Sequence, residues 1–135
     1  MALEIEAKMK LSDPDALERR LKEAGATLKR RVFEVNTFYD TPEDALRAAD
    51  RGLRTRLERG IDDPGYTQMT ITHKGPRAHG ELKSRSEVEL NVTDLNNADA
   101  MLRALGYHKK IAFEKQRAKW DFDDCQVEVD CVPYL

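Results

Sequence analysis

The sequence is short of several things, and each shortage removes a class of protein. No apolar run approaches the ~18 residues that a membrane-spanning helix needs, so no membrane partner is expected. Charge of one sign is not in excess: 23 Lys and Arg stand against 25 Asp and Glu, a net charge of −2. A nucleic-acid binder would be lopsidedly basic, so no nucleic-acid partner is expected either. Cysteine is scarce, with two residues. Cys125 and Cys131 fall in one expected strand, where they would stand roughly 20 Å apart, beyond disulfide reach. They are expected as buried or half-buried free thiols. His73, His79 and His108 have no zinc spacing with each other or with cysteine. The N-terminal MALEIEAKMK is too acidic and too poor in apolar residues for a signal peptide, and cytoplasm is the default expectation. There are no low-complexity segments and no useful repeats.

What the chain has in abundance is paired charge. Its 135 residues suit one domain, and 36% of them are charged, against about 25% in ordinary domains. Three segments read as helices. Asp13-Pro14-Asp15 is a start signal, Leu17, Leu21 and Ala24 form one apolar face, and Gly25 is the stop. Thr41-Pro42-Glu43-Asp44 starts a short helix ending near Gly52. Asp94 opens a third, with Leu95, Ala98, Met101, Leu102 and Leu105 at helical spacing and Gly106 as its C-terminal glycine. Strands are expected over about 3–10, 32–40, 52–59, 66–74, 83–93, 111–122 and 125–132, with breaker-rich loops at 60–65 and 75–80. The regular β-α-β alternation of a doubly wound sheet is missing. The expected class is therefore α+β, an antiparallel sheet with packed helices.

Strand side chains alternate between faces, and here the alternation separates charge from apolar surface. Leu3, Ile5, Ala7 and Met9 oppose Glu4, Glu6, Lys8 and Lys10. Leu53, Thr55 and Leu57 oppose Arg54, Arg56 and Glu58. Val88, Leu90 and Val92 oppose Arg85, Glu87, Glu89 and Asn91. Val127, Val129 and Cys131 oppose Gln126, Glu128 and Asp130. Thr70, Thr72 and Lys74 share a face, as do Lys115, Arg117 and Lys119. One reading is a half-buried sheet with a solvated face. The other has the apolar faces covered by helices and the sheet closed around the charges. An isolated buried charge costs several kcal/mol. Interleaved acids and bases lower that cost, and a bound polyanion with metal lowers it further.

The order of the motifs resembles one family. Glu4-Ile5-Glu6-Ala7-Lys8 looks like the ExExK signature of the CYTH family, the triphosphate tunnel metalloenzymes. Phe38-Tyr39-Asp40-Thr41, Leu53-Arg54-Thr55-Arg56, Thr72-His73-Lys74-Gly75, Arg85-Ser86-Glu87-Val88-Glu89, Glu114-Lys115-Gln116-Arg117 and Val127-Glu128-Val129-Asp130 follow in that family's order. The resemblance implies an antiparallel β-barrel, a triphosphate tunnel with charged interior and helices outside, over a single domain, 1–135. It implies phosphate ligands at Lys8, Arg54, Arg56, Lys74, Arg85, Lys115 and Arg117, with Lys8, Arg54 and Arg56 as the catalytic set. It implies metal ligands among Glu4, Glu6, Asp130, Glu87, Glu89 and Glu128, the first three foremost, for Mg2+ or Mn2+. The chain stops at Pro133-Tyr134-Leu135, before the further Glu-x-Glu strand of the family. The expected domain is thus truncated at its C-terminus, without its last strand.

The implied substrate is a small-molecule triphosphate: ATP, inorganic triphosphate or thiamine triphosphate. Leu105-Gly106-Tyr107-His108 followed by Glu114-Lys115-Gln116-Arg117 looks closest to class IV adenylyl cyclases, which convert ATP to cyclic AMP and pyrophosphate. A triphosphatase and a non-catalytic polyphosphate- or nucleotide-binding module are the alternatives. A homodimer is compatible with the family. Trp120, Phe122, Phe113 and Phe33 read as packing residues. Arg77, in the 75–80 loop, is a candidate to reach a phosphate.

Overall fold

The two longer helices form where the start and stop chemistry is complete. Asp13 accepts from the Ala16 amide at 3.1 Å and Pro14 occupies the first turn, giving α1 over Pro14–Glu23. Asp94 accepts from the Asn96 and Asn97 amides at 2.8 and 3.2 Å, giving α3 over Leu95–Ala104. Both end alike. Gly25 and Gly106 have φ of +93° and +98°. The amides beyond them, of Ala26 and Tyr107, donate to Leu21 and Leu102 at 2.9 Å each. A left-handed residue with this six-to-one hydrogen bond is the Schellman arrangement, which glycine adopts without Cβ strain.

The computed structural model describes residues 2–6, 12–78 and 83–132, with side chains for 12–78 and 84–132. Its strands are β1 (Ala2–Glu6), β2 (Thr27–Asp40), β3 (Gly52–Gly60), β4 (Thr67–Lys74), β5 (Lys83–Asn91), β6 (His108–Phe122) and β7 (Cys125–Cys131). α2 is a single turn, Ala45–Ala48, shorter than the segment up to Gly52 suggests. β2 begins five residues before its expected start. Residues 7–10 of the first expected strand lie outside the described residues. The sheet order is β1-β5-β4-β3-β2-β6-β7, and the pairs β1–β5, β4–β5 and β6–β7 are antiparallel. The α+β class with an antiparallel sheet is as expected.

The chain divides into two compact units. One holds β1, Asn36–Leu57 and Gln68–Phe113. The other holds α1, the first part of β2, Glu58–Thr67 and the chain from Glu114 onward. In the second unit Leu21 of α1 packs with Ala118, Trp120 and Val129, flanked by Leu17, Ala26 and Val127. Each such buried apolar side chain contributes about 1.5–3 kcal/mol. Trp120 is thus a packing residue, with its indole Nε1 donating to Glu18 at 2.8 Å. In the first unit Phe38 and Phe113 stack with centroids 5.8 Å apart.

Two expectations about burial are corrected. Val88 and Leu90 are not covered by a helix; they are 41% and 60% exposed. α1 packs on β6 and β7, and α3 is tied to β2 through Asp99, which accepts from Tyr39. Cys125 and Cys131 are free but exposed, not buried. The residues buried on the sheet include many polar ones: Glu34, Asn36, Thr55, Glu58, Thr70, Thr72 and Lys115.

Candidate functional site

In the second unit the β6–β7 register sets Arg117 opposite Asp130 and Lys119 opposite Glu128. Alternation then brings Lys115 onto the same face. Arg117 donates from Nε to Asp130 Oδ1 at 2.6 Å, from Nη2 to Asp130 Oδ2 at 2.9 Å, and from Nη1 to Glu128 Oε2 at 2.9 Å. Lys115 Nζ donates to Asp130 Oδ2 at 2.9 Å. Behind them lies Glu34 of β2, with no exposed side-chain surface. Its Oε1 is 4.0 Å from Lys115 Nζ and its Oε2 3.5 Å from Arg117 Nη1. Lys119 donates to both oxygens of Glu58 at 3.1 and 3.0 Å. Tyr66 donates to the same carboxylate at 3.2 Å, and the Arg30 guanidinium lies 3.5 Å from the Tyr66 ring centroid.

The electrostatics follow from burial and pairing. Burial would raise the Asp130 carboxyl, but its hydrogen bonds from Arg117 and Lys115 outweigh that and hold it down at about 2. Lys115 is lowered, by burial first and by the neighbouring Arg117 cation. Arg117 is driven the other way: burial opposes its charge, but Asp130, Glu128 and Glu34 together raise it. Both cations are thus largely buried, with 10% and 12% of their side chains exposed, and a phosphate oxygen there would interact more strongly than at the open surface.

In the first unit Arg56 Nε donates to the fully buried Asn36 at 2.6 Å. Arg54 lies two residues away on the same strand. Thr72 donates to Glu89 at 2.8 Å, and Lys74 is the register partner of Glu87. Arg85 is held by backbone: Nε donates to Gly75 O at 2.8 Å and Nη2 to Asp50 O at 3.3 Å. Glu4 and Glu6 are the register partners of Arg85 and Lys83. Lys8 and His79 lie outside the described residues. The Arg77 amide and Nε donate to Asp50 at 2.8 and 3.1 Å. His73 accepts from Arg51 Nε at 3.1 Å, and burial and the Arg51 and Arg85 cations lower its pKa.

Among the described residues no three His, Cys, Asp or Glu side chains are gathered closely enough to hold a metal ion. The hard carboxylates Glu128 and Asp130 have the donor chemistry for Mg2+ or Mn2+, which are commonly held by one or two carboxylates with water and substrate oxygens. Glu34, Asn36 and Glu58 were not singled out from sequence as site residues. The signal was present, since Val32, Glu34 and Asn36 alternate with Phe33 and Val35 along β2.

These features define a class: an antiparallel α+β protein whose sheet buries paired cations and carboxylates. The chain belongs to the CYTH domain family, whose model matches residues 2–135. It is 36% identical to adenylate cyclase CyaB of Aeromonas hydrophila over 120 residues, covering 85% of this chain and 55% of that protein. It is 30% identical to human thiamine-triphosphatase over 143 residues, covering 93% of this chain and 61% of that protein. The chain thus spans less than two thirds of the length of these two relatives. A solved Pyrococcus horikoshii protein shares the fold with a TM-score of 0.79 at 24% identity, over 90% of this chain and 67% of that one. A Hippeastrum protein, described as revealing a dominant triphosphatase activity, does so with a TM-score of 0.67 at 15% identity, over 90% of this chain and 67% of that one. No described helix is long and apolar enough to cross a membrane.

Proposed function

We propose that the chain binds a small-molecule triphosphate and acts on it as an enzyme, in the manner of a class IV adenylyl cyclase. The observation that carries this reading is the buried Lys115–Arg117 pair. Two largely buried cations held by partly exposed carboxylates suit a ligand with several phosphate oxygens. Lys115 and Arg117 take phosphate oxygens in one unit. Arg54, Arg56, Lys74 and Arg85 are assigned the same role in the other, together with Lys8, and Lys8, Arg54 and Arg56 form the catalytic set. Asp130, Glu4 and Glu6 are the foremost candidates for Mg2+ or Mn2+, with Glu87, Glu89 and Glu128 in support. A bound divalent ion would supply further charge neutralisation at the phosphate oxygens.

In the cyclase reaction the ribose 3′-oxygen of ATP forms a bond to the α-phosphorus. The bond from that phosphorus to the bridging oxygen breaks, pyrophosphate leaves, and the hydroxyl proton passes to solvent. Lys115 and Arg117 act by position and charge, which is most of what phosphoryl transfer asks of a protein. The second reading is a triphosphatase, in which water attacks the terminal phosphorus, the bond from that phosphorus to its bridging oxygen breaks, the diphosphate leaves, and the water proton passes to solvent as orthophosphate forms. It is favoured by the 30% identity to thiamine-triphosphatase. The two differ in which phosphorus meets a nucleophile.

Incubation with ATP, inorganic triphosphate and thiamine triphosphate, each with Mg2+ or Mn2+, separates them by product. Cyclic AMP with pyrophosphate is expected for the cyclase and orthophosphate for the hydrolase. Binding with no turnover of any substrate would leave a polyphosphate-binding module. Arg117→Ala is expected to weaken triphosphate binding at least tenfold, the scale of one lost charge-assisted contact. Unchanged affinity would sink the assignment of the β6 cations.

A further inference from the structure

The three carboxylates around Lys115 and Arg117 differ in a way that suggests different jobs. Glu34 has no exposed side-chain surface, whereas Asp130 and Glu128 have 25% and 38% of theirs exposed. Asp130 also makes the better contacts. Its two oxygens take Arg117 Nε and Nη2 side by side at 2.6 and 2.9 Å. This is the bidentate fork that two oxygens of a phosphate would occupy. Glu34 stands 4.0 Å from Lys115 Nζ and 3.5 Å from Arg117 Nη1.

We propose that Asp130 is an internal stand-in for phosphate, occupying the Arg117 fork until a polyphosphate displaces it, and that Glu34 is the fixed counter-ion that positions Lys115 and Arg117 throughout. The proposal rests on the triphosphate-binding reading above. Displacement of Asp130 and Glu128 opens the Arg117 donors to phosphate oxygens while Glu34 stays against both cations. Glu34 cannot follow them, because no path to solvent opens at a side chain with no exposed surface and its departure would strand two buried cations. Its role is positioning: it acts through Lys115 and Arg117 and needs no contact with the ligand.

The division of labour separates a steric occupant from a mere negative charge. Asp130→Asn and Glu34→Gln each remove one unit of charge from the same cluster. If only charge mattered, both would strengthen polyanion binding. With Asp130 as occupant, Asp130→Asn weakens the plug and Glu34→Gln loosens the cations. The experiment measures inorganic triphosphate affinity by calorimetry for wild type and both variants, in EDTA and again in Mg2+, with urea unfolding to establish that each variant folds. In EDTA, Asp130→Asn is expected to bind about tenfold tighter than wild type, the worth of a hydrogen-bonded charge contact, and Glu34→Gln no tighter. If Glu34→Gln does not fold, Asp130→Ala in EDTA carries the same test, with an equal or larger gain expected. No gain for either Asp130 variant, or an equal gain for Glu34→Gln, overturns the proposal while leaving Mg2+-dependent binding intact. Absence of triphosphate binding by wild type in both media overturns the proposal together with the reading beneath it.

Discussion

Tyr39 is 4% exposed, and its hydroxyl donates to Asp99 at 2.7 Å. Burial first, then the hydrogen bond to the Asp99 carboxylate, push its pKa up to about 12. The folded phenol therefore holds its proton more tightly than an unfolded one at about 10. That contribution to stability is complete below pH 10 and disappears as pH rises through 12. Two units correspond to about 2–3 kcal/mol. A spectrophotometric titration should show a late tyrosinate step near pH 12 that Tyr39→Phe abolishes. A tyrosine in an apolar pocket with no acceptor would show no link to Asp99, so Asp99→Asn should bring the step earlier. Asp40 carries the opposite sign. Burial would raise it, but the amides of Leu46, Arg47 and Thr41 donate to its oxygens and hold it below the ordinary value. Its stabilisation is present above the unfolded carboxyl pKa and fades as pH falls below it. Asp40→Asn turns a nitrogen toward one of these amides and should cost about 1–3 kcal/mol in urea unfolding at pH 7, with the deficit shrinking in acid.

At the level of elements, the caps of α3 act at opposite ends of a helix about 15 Å long. Asp94→Ala removes an acceptor shared by two amides and should cost about 1 kcal/mol. A Cβ on Gly106 meets nothing within 4 Å, so the cost of Gly106→Ala, about 1 kcal/mol, lies in its positive φ alone. With no shared partner the two should add in the double variant to about 2 kcal/mol, measurable by chemical denaturation. Such devices are local, which is why Asp13, Gly25, Asp94 and Gly106 could be read from the sequence. α2 could not be bounded that way. Its single turn is held by Asp40, a strand residue six positions before Leu46, and no periodicity reports such a contact. Likewise the register of charges within β6 and β7 was visible, because Lys115, Arg117, Glu128 and Asp130 alternate strictly. The partner behind them, Glu34, sits 81 positions before Lys115. Alternation along β2 marks its face but not what it meets. Arg85 is a further case: its motif marks it as a phosphate-ligand candidate, but no spacing reports that its Nε and Nη2 donate to the carbonyls of Gly75 and Asp50.

For the molecule as a whole, 48 charged residues balance to a net charge of −2, and among the described residues the buried cations Lys115, Arg117 and Lys119 are each paired with carboxylates before any ligand arrives. Buried pairs of this kind contribute little net stability, because desolvation offsets much of the Coulomb attraction. The energetic gain of a polyanion is then a gain of binding, and it appears in stability by mass action. A ligand that binds only the folded state at 100 times its dissociation constant adds about 2.7 kcal/mol. Unfolding entropy near 2.1 cal/mol/K per residue over 135 residues converts this to a rise in Tm of roughly 10 °C. Inorganic triphosphate should produce that rise in a thermal melt with Mg2+. The rise should persist in part at 0.5 M KCl, since buried contacts such as those of Lys115 and Arg117 are screened less than exposed ones. Arg117→Ala should remove most of it at the same ligand concentration. If the variant melts with the full shift, or if salt erases the shift in the wild type, the polyanion is held by surface lysines and arginines and not by the buried face of the sheet.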